Sequence, residues 1–136
     1  VGVGAVVLHQ GRILLVRRGR PPAAGRWSLP GGLVELGEST AEAARREVVE
    51  ECGIEVRLAG IAGVVDRIVR DDADRVRYHY VIVDYLAYPE SEAVEAGTDA
   101  ADARWVPVEH VHSLEVTEGL VDMIRRAQAL AQGRAW

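Results

Sequence analysis

Apolar positions along the chain follow two different periods. Val3 to His9 and Ile13 to Val16 are nearly continuous apolar, β-branched runs split by Gln10-Gly11, which predicts two strands joined by a hairpin turn. Alternation from Val76 to Tyr88 predicts a long strand, Ile54 to Val69 predicts one or two more, and Arg104 to Val108 a short final one. Between these runs the period lengthens to that of a helix. Ala41, Ala44, Val48 and Cys52 recur at helical spacing behind Ser39 and Glu42, a capping-box pair, and Gly53 closes the segment. A second helix is predicted over Gly119 to Gln132, with Leu120, Ile124, Ala127 and Leu130 on one side. Strands, helix, strands, helix is the order of an α+β or sandwiched mixed-sheet fold rather than a repeated βαβ unit. Pro21 to Gly25 and the acidic stretch from Glu90 to Asp102 are expected to be exposed loops.

Composition narrows the class. A length of 136 residues, with 49% hydrophobic and 27% charged content, fits one soluble globular domain, taken here as residues 1–136. The net charge of −5 gives no global field for a nucleic-acid polymer or an anionic membrane, so a small anion would need a local cation site. Cys52 is the only cysteine, which excludes an intrachain disulfide and suits a reducing compartment. No apolar run reaches the length of a membrane span and no signal-peptide pattern follows Val1, so a cytoplasmic location is expected.

The chemistry is concentrated between Gly32 and Ile54, in the segment GLVELGESTAEAARREVVEECGI. It fits the pattern G-x5-E-x7-R-E-U-x-E-E-x-G-U, with U apolar, at every position. At roughly 5–8% chance frequency for each fixed residue, such a match arises by accident on the order of once in a million chains. On a helix Glu47, Glu50 and Glu51 fall within an arc of about 100°, where three like charges repel and a hard divalent cation relieves the repulsion. A solvated acidic face has the same spacing, so the spacing alone leaves both readings open. Gly31 and Gly32 allow a close backbone approach to a metal or a phosphate. Arg17, Arg18, Arg20 and Arg26 surround the loop before the segment, and guanidinium groups suit phosphate oxygens. Cys52 falls on the apolar side of the helix and reads as core. His79, Tyr80, His110 and His112 show no zinc-ligand spacing.

The segment resembles the defining box of the Nudix family, and Trp27-Ser28-Leu29-Pro30-Gly31-Gly32 resembles the family's approach to it. The resemblance implies an α/β/α sandwich with a mixed β-sheet between helices, and hydrolysis of a nucleoside diphosphate linked to another group. It implies a metal site of Gly32, Glu47, Glu50 and Glu51 for magnesium, with manganese as the substitute. It also implies that Arg46 orients a carboxylate and that Arg18 meets substrate phosphate; by their own chemistry Glu38 serves the loop and helix end or the metal through water, and Arg26 and Gly31 are further candidates to meet substrate. The general base is Glu47 or, by distance from Trp105, Asp99 in the acidic loop. Tyr78, Tyr80, Tyr85 and Trp27 are available for stacking on a base. ADP-ribose or a related nucleotide sugar is the expected substrate, with a nucleoside triphosphate as the competitor. A non-catalytic nucleotide sensor is the reading from another class, and a homodimer is compatible with all of them.

Overall fold

The computed structural model describes residues 1–19, 24–97 and 100–133. Strands β1 (Gly2–His9) and β2 (Arg12–Arg18) form the expected hairpin, with Gln10 and Gly11 both at positive φ. That geometry matches the twist of the paired strands. β3 (Trp27–Ser28) and β4 (Gly31–Leu33) follow, then α1 (Thr40–Cys52), β5 (Val56–Arg70), β6 (Val76–Pro89) and β7 (Ala100–Pro107). A 3-10 helix over Val108–Ser113 leads to α2 (Leu120–Ala131). Among the described residues no helix is long and apolar enough to cross a membrane.

The strands build one mixed sheet of seven, in the order β3-β2-β1-β6-β5, with β4 also on β1 and β7 also on β2. Along the sheet's main path, among the described residues, only β1 and β6 run parallel, and the long β5–β6 hairpin is antiparallel. β1 is buried from Gly2 to Val7 because both of its faces are covered. Val3, Ala5 and Val7 pack with Ala43, Ala44, Val48 and Cys52 on the α1 side. Val6 packs with Leu120, Met123, Ile124 and Ala127 on the α2 side. The result is the sandwich of helices about a mixed sheet that the sequence implied.

Two details differ from the reading of the sequence, and one open choice between one strand and two is settled. β3 and β4 are too short to carry a period, so no pattern announced them. Ile54 to Val69 yields one strand, starting at Val56, whose register shifts at Leu58/Gly60 and Ile61/Gly63 let it bend without breaking. The final strand begins at Ala100, so Asp102 belongs to β7 and not to the acidic loop.

Candidate active site

Local sequence fixes α1 at both ends. The Ser39 hydroxyl accepts a hydrogen bond from the Glu42 amide at 3.1 Å, and Gly53, at φ 72°, returns its N–H to Val49 O. Ala43, Ala44, Val48 and Cys52 are buried against the sheet, and this seating aims the acidic residues at the β4 edge. Burial pushes the Cys52 thiol up to about 12, which makes it an inert core group.

The carboxylates of the box divide into two groups. Glu47 is largely covered, at 13% side-chain exposure, whereas Glu50 stands 54% exposed. Glu51 accepts from the Gly31 amide at 2.7 Å, and the Glu47 carboxyl lies close enough for its charge to act on Glu51. Burial is the main cause that pushes the Glu51 carboxyl up to about 8; the Glu47 charge adds to it, while the Gly31 amide and the Arg18 charge oppose it. Burial also raises Glu47, against the pull of Arg46. An added Cβ at Gly32 would collide with the Glu47 carboxylate, so only glycine lets the β4 backbone come this close.

Arg46 joins the remaining acids. Its guanidinium donates to both Glu38 oxygens at 2.8 and 3.0 Å, to Glu47 at 3.0 Å, to Glu50 at 3.2 Å and to Leu33 O at 3.1 Å. The hydrogen bonds from Arg46 hold the Glu38 carboxyl below its ordinary range, and Glu38 returns the effect by raising Arg46 further. The fork ties the loop before α1 to the acidic face and fixes the orientation of Glu47.

Two partly buried carboxyls set against a glycine backbone fit a hard divalent cation, which would offset their mutual repulsion. Among the described residues no three His, Cys, Asp or Glu side chains converge into a ready cation cage. A cation here would therefore complete its shell with water and substrate oxygens, as magnesium does.

The sequence model of the NUDIX domain matches residues 1–127. The chain belongs to the NUDIX family. It is 31% identical over 84% of its length to an ADP-ribose pyrophosphatase of Methanocaldococcus jannaschii, covering 65% of that protein. It is 35% identical over 77% of its length to a Bacillus subtilis protein provisionally named as an 8-oxo-dGTP diphosphatase, covering 64% of it. The chain thus spans just under two thirds of these two relatives. The crystal structure of a MutT NUDIX hydrolase from Burkholderia pseudomallei superposes with a TM-score of 0.77 at 32% identity, over 92% of this chain and 95% of that one. NUDIX hydrolases generally need a divalent metal ion and act on small nucleotides.

Arg18 lies close enough for its charge to act on Glu51. Its amide donates to Arg26 O at 2.9 Å, and the Arg26 side chain is exposed. Arg20 and Asp99 lie outside the described residues. The chain leading towards Asp99 abuts the helix, since Gly97 N–H donates to Glu51 O. Trp27 is 8% exposed and belongs to the core, so it packs and offers no open face to a base. The Tyr85 hydroxyl is bonded to Thr40 at 2.7 Å, while Tyr78 and Tyr80 stack on each other. Sequence reasoning passed over Asp84, a buried acid in the run YVIVDYLAY. Its signal was a charged residue inside an alternating apolar strand.

Proposed function

We propose that this NUDIX domain hydrolyses the phosphoanhydride bond of a nucleoside diphosphate linked to another group, with ADP-ribose as the first substrate and magnesium as the metal. The observation that carries the reading is the pair of carboxyls at the β4 glycines, Glu47 against the Gly32 backbone and Glu51 on the Gly31 amide. In this reading Glu47, Glu50, Glu51 and the Gly32 carbonyl would hold the ion. The bound ion supplies charge neutralisation on the phosphoryl oxygens and lowers the pKa of water. Arg46 keeps Glu47 oriented while Arg18 and Arg26 take phosphate oxygens through their guanidinium groups. Glu47, or Asp99 from the loop, receives the proton of the attacking water. No covalent intermediate is needed, because in-line placement and charge neutralisation provide most of the acceleration in phosphoryl chemistry.

A small nucleotide suits the net charge of −5 better than a polymer, and the single, buried cysteine suits the cytoplasm. A nucleoside triphosphate is the second reading, favoured by the name of the Bacillus subtilis relative. The test is hydrolysis in heavy-oxygen water. ADP-ribose should give a nucleoside monophosphate and a sugar phosphate, with label on one phosphate product. Label on the sugar carbon, or free nucleoside diphosphate as the main product, would refute attack at phosphorus. Diphosphate released from a triphosphate, with ADP-ribose untouched, would transfer the reading to the second substrate.

A further inference from the structure

β5 ends the sheet. It pairs with β6 on one side, and among the described residues no strand lies on the other. An edge strand leaves a row of amides and carbonyls open to another chain, and folds blunt such an edge with bulges, proline, lysine or a cover. β5 is blunted over half its length only. Its register shifts at Leu58/Gly60 and Ile61/Gly63, and α2 packs against that half, with Leu130 at Gly60 and with Met123 and Arg126 at Gly63. From Gly63 to Val69 the pairing with β6 runs without a break, and the stretch holds neither proline nor lysine. On its α1 face Val64 is 53% exposed and Ile68 46%.

The outer end of the hairpin, residues 66–77, holds four arginines and four aspartates, so it is neutral while the whole chain carries −5. Two copies meeting here avoid the repulsion between their acidic bodies. Antiparallel edges related by a two-fold axis set residues of the same face opposite each other. An axis at Asp66, Arg67 or Arg70 places like charges on that line, and an axis at Val69 sets Asp66 against the partner's Asp72. An axis at Val65 runs the partner into the bulged half. With the axis at Ile68, Ile68 meets its own copy and Asp66 faces the partner's Arg70 on both sides of it. Asp66 holds His79 through Oδ1 and Arg70 holds Asp74 O through Nη1, so Asp66 Oδ2 and Arg70 Nη2 keep no hydrogen bond among the described residues.

We propose that two copies of this chain pair antiparallel along β5, about a two-fold axis at Ile68, and join their sheets into one. The stretch from Asp66 to Arg70 supplies the ladder, closed by an Asp66–Arg70 ion pair at each end. So short a pairing buries less than the ~800 Å² per partner of a standard interface, so the dimer is weak, with a Kd of roughly 1–100 µM.

Sedimentation velocity of the full chain at low salt, from about 1 to 300 µM, reads the association. The wild type should pass from monomer to dimer across that range. Asp66→Arg and Arg70→Asp should each weaken the dimer by roughly 10-fold or more, and the two together should restore it. Residues four apart on a strand stand ~13 Å from each other, so the exchanged charges cannot pair within one chain and the rescue reports a contact between chains. Cys52 is buried, so Ile68→Cys carries the chain's one exposed thiol. Under mild oxidant it should cross-link roughly 10-fold faster than Val64→Cys, whose two copies lie ~26 Å apart in this register. Circular-dichroism melts check that each variant is folded. A wild type that stays monomeric at the highest concentration, or a dimer that neither charge variant weakens, would overturn the proposal. Failure of the double exchange to restore association, or equal cross-linking at both positions, would overturn it too.

Discussion

Burial holds the Glu51 carboxyl at about 8 in the metal-free chain, against an ordinary 4.5. Between those values the folded state keeps a proton that the unfolded state has released, so stability falls as pH rises through this window and levels off above it. Asp84, pushed up to about 6, and Glu47, also raised, act in the same direction. In chelator the folded chain should lose roughly 2–5 kcal/mol between pH 5 and pH 8, and Glu51→Gln should remove the largest part of that slope. Denaturant melts at four pH values across this range measure it. A chain more stable at pH 8 than at pH 5, or a variant with the wild-type slope, would show that Glu51 is not held protonated by burial. The acids themselves were legible in the sequence, but their division was not. Helical spacing gives the direction of each Cβ, whereas the turn of Glu50 onto Arg46 depends on Glu38, which enters from a loop eight residues earlier in the chain.

The helix bearing these acids is held from below by the sheet and at its end by the loop after β6. Glu95 N–H donates to Cys52 O and Gly97 N–H to Glu51 O, closing carbonyls that a helix end leaves open. An added Cβ at Gly97 would collide with Glu50 O. Gly97→Ala should therefore push the loop off the helix end, costing about 1–3 kcal/mol of stability and lowering turnover in parallel. Chemical denaturation together with an activity assay checks it, and a fully stable, fully active variant would contradict the close packing. The loop is held in turn by Glu92, which pairs with Arg12 and His9, and whose carbonyl accepts from the Trp105 indole at 3.2 Å. Both helices and the first hairpin were legible because caps, turns and periods are local. β3, β4 and the start of β7 were not, since two or three residues hold no period and Ala100-Ala101-Asp102-Ala103 has no strong alternation.

The sandwich covers the sheet on both faces. On one, α1 brings Glu47 and Glu51 to the β4 glycines; on the other, Asp84 lies against Gly4. β4 links the two, because Gly32 meets Glu47 while Gly31 stands beside Gly4. The layering was legible from the order of elements and from the family box. The place of Asp84 was not, because it depends on strands whose register only the folded sheet defines. The chain carries a net charge of −5, so an anionic substrate depends on the bound cation and nearby arginines for attraction. The most direct measurement is therefore turnover of ADP-ribose and of nucleoside triphosphates in magnesium and in excess chelator, for the wild type and Glu51→Gln. The wild type should turn over one of these substrates only with the metal, and the folded variant should be slower by roughly 100-fold or more. Full turnover in chelator, or a folded Glu51→Gln chain at the wild-type rate, would contradict the metal-dependent hydrolase.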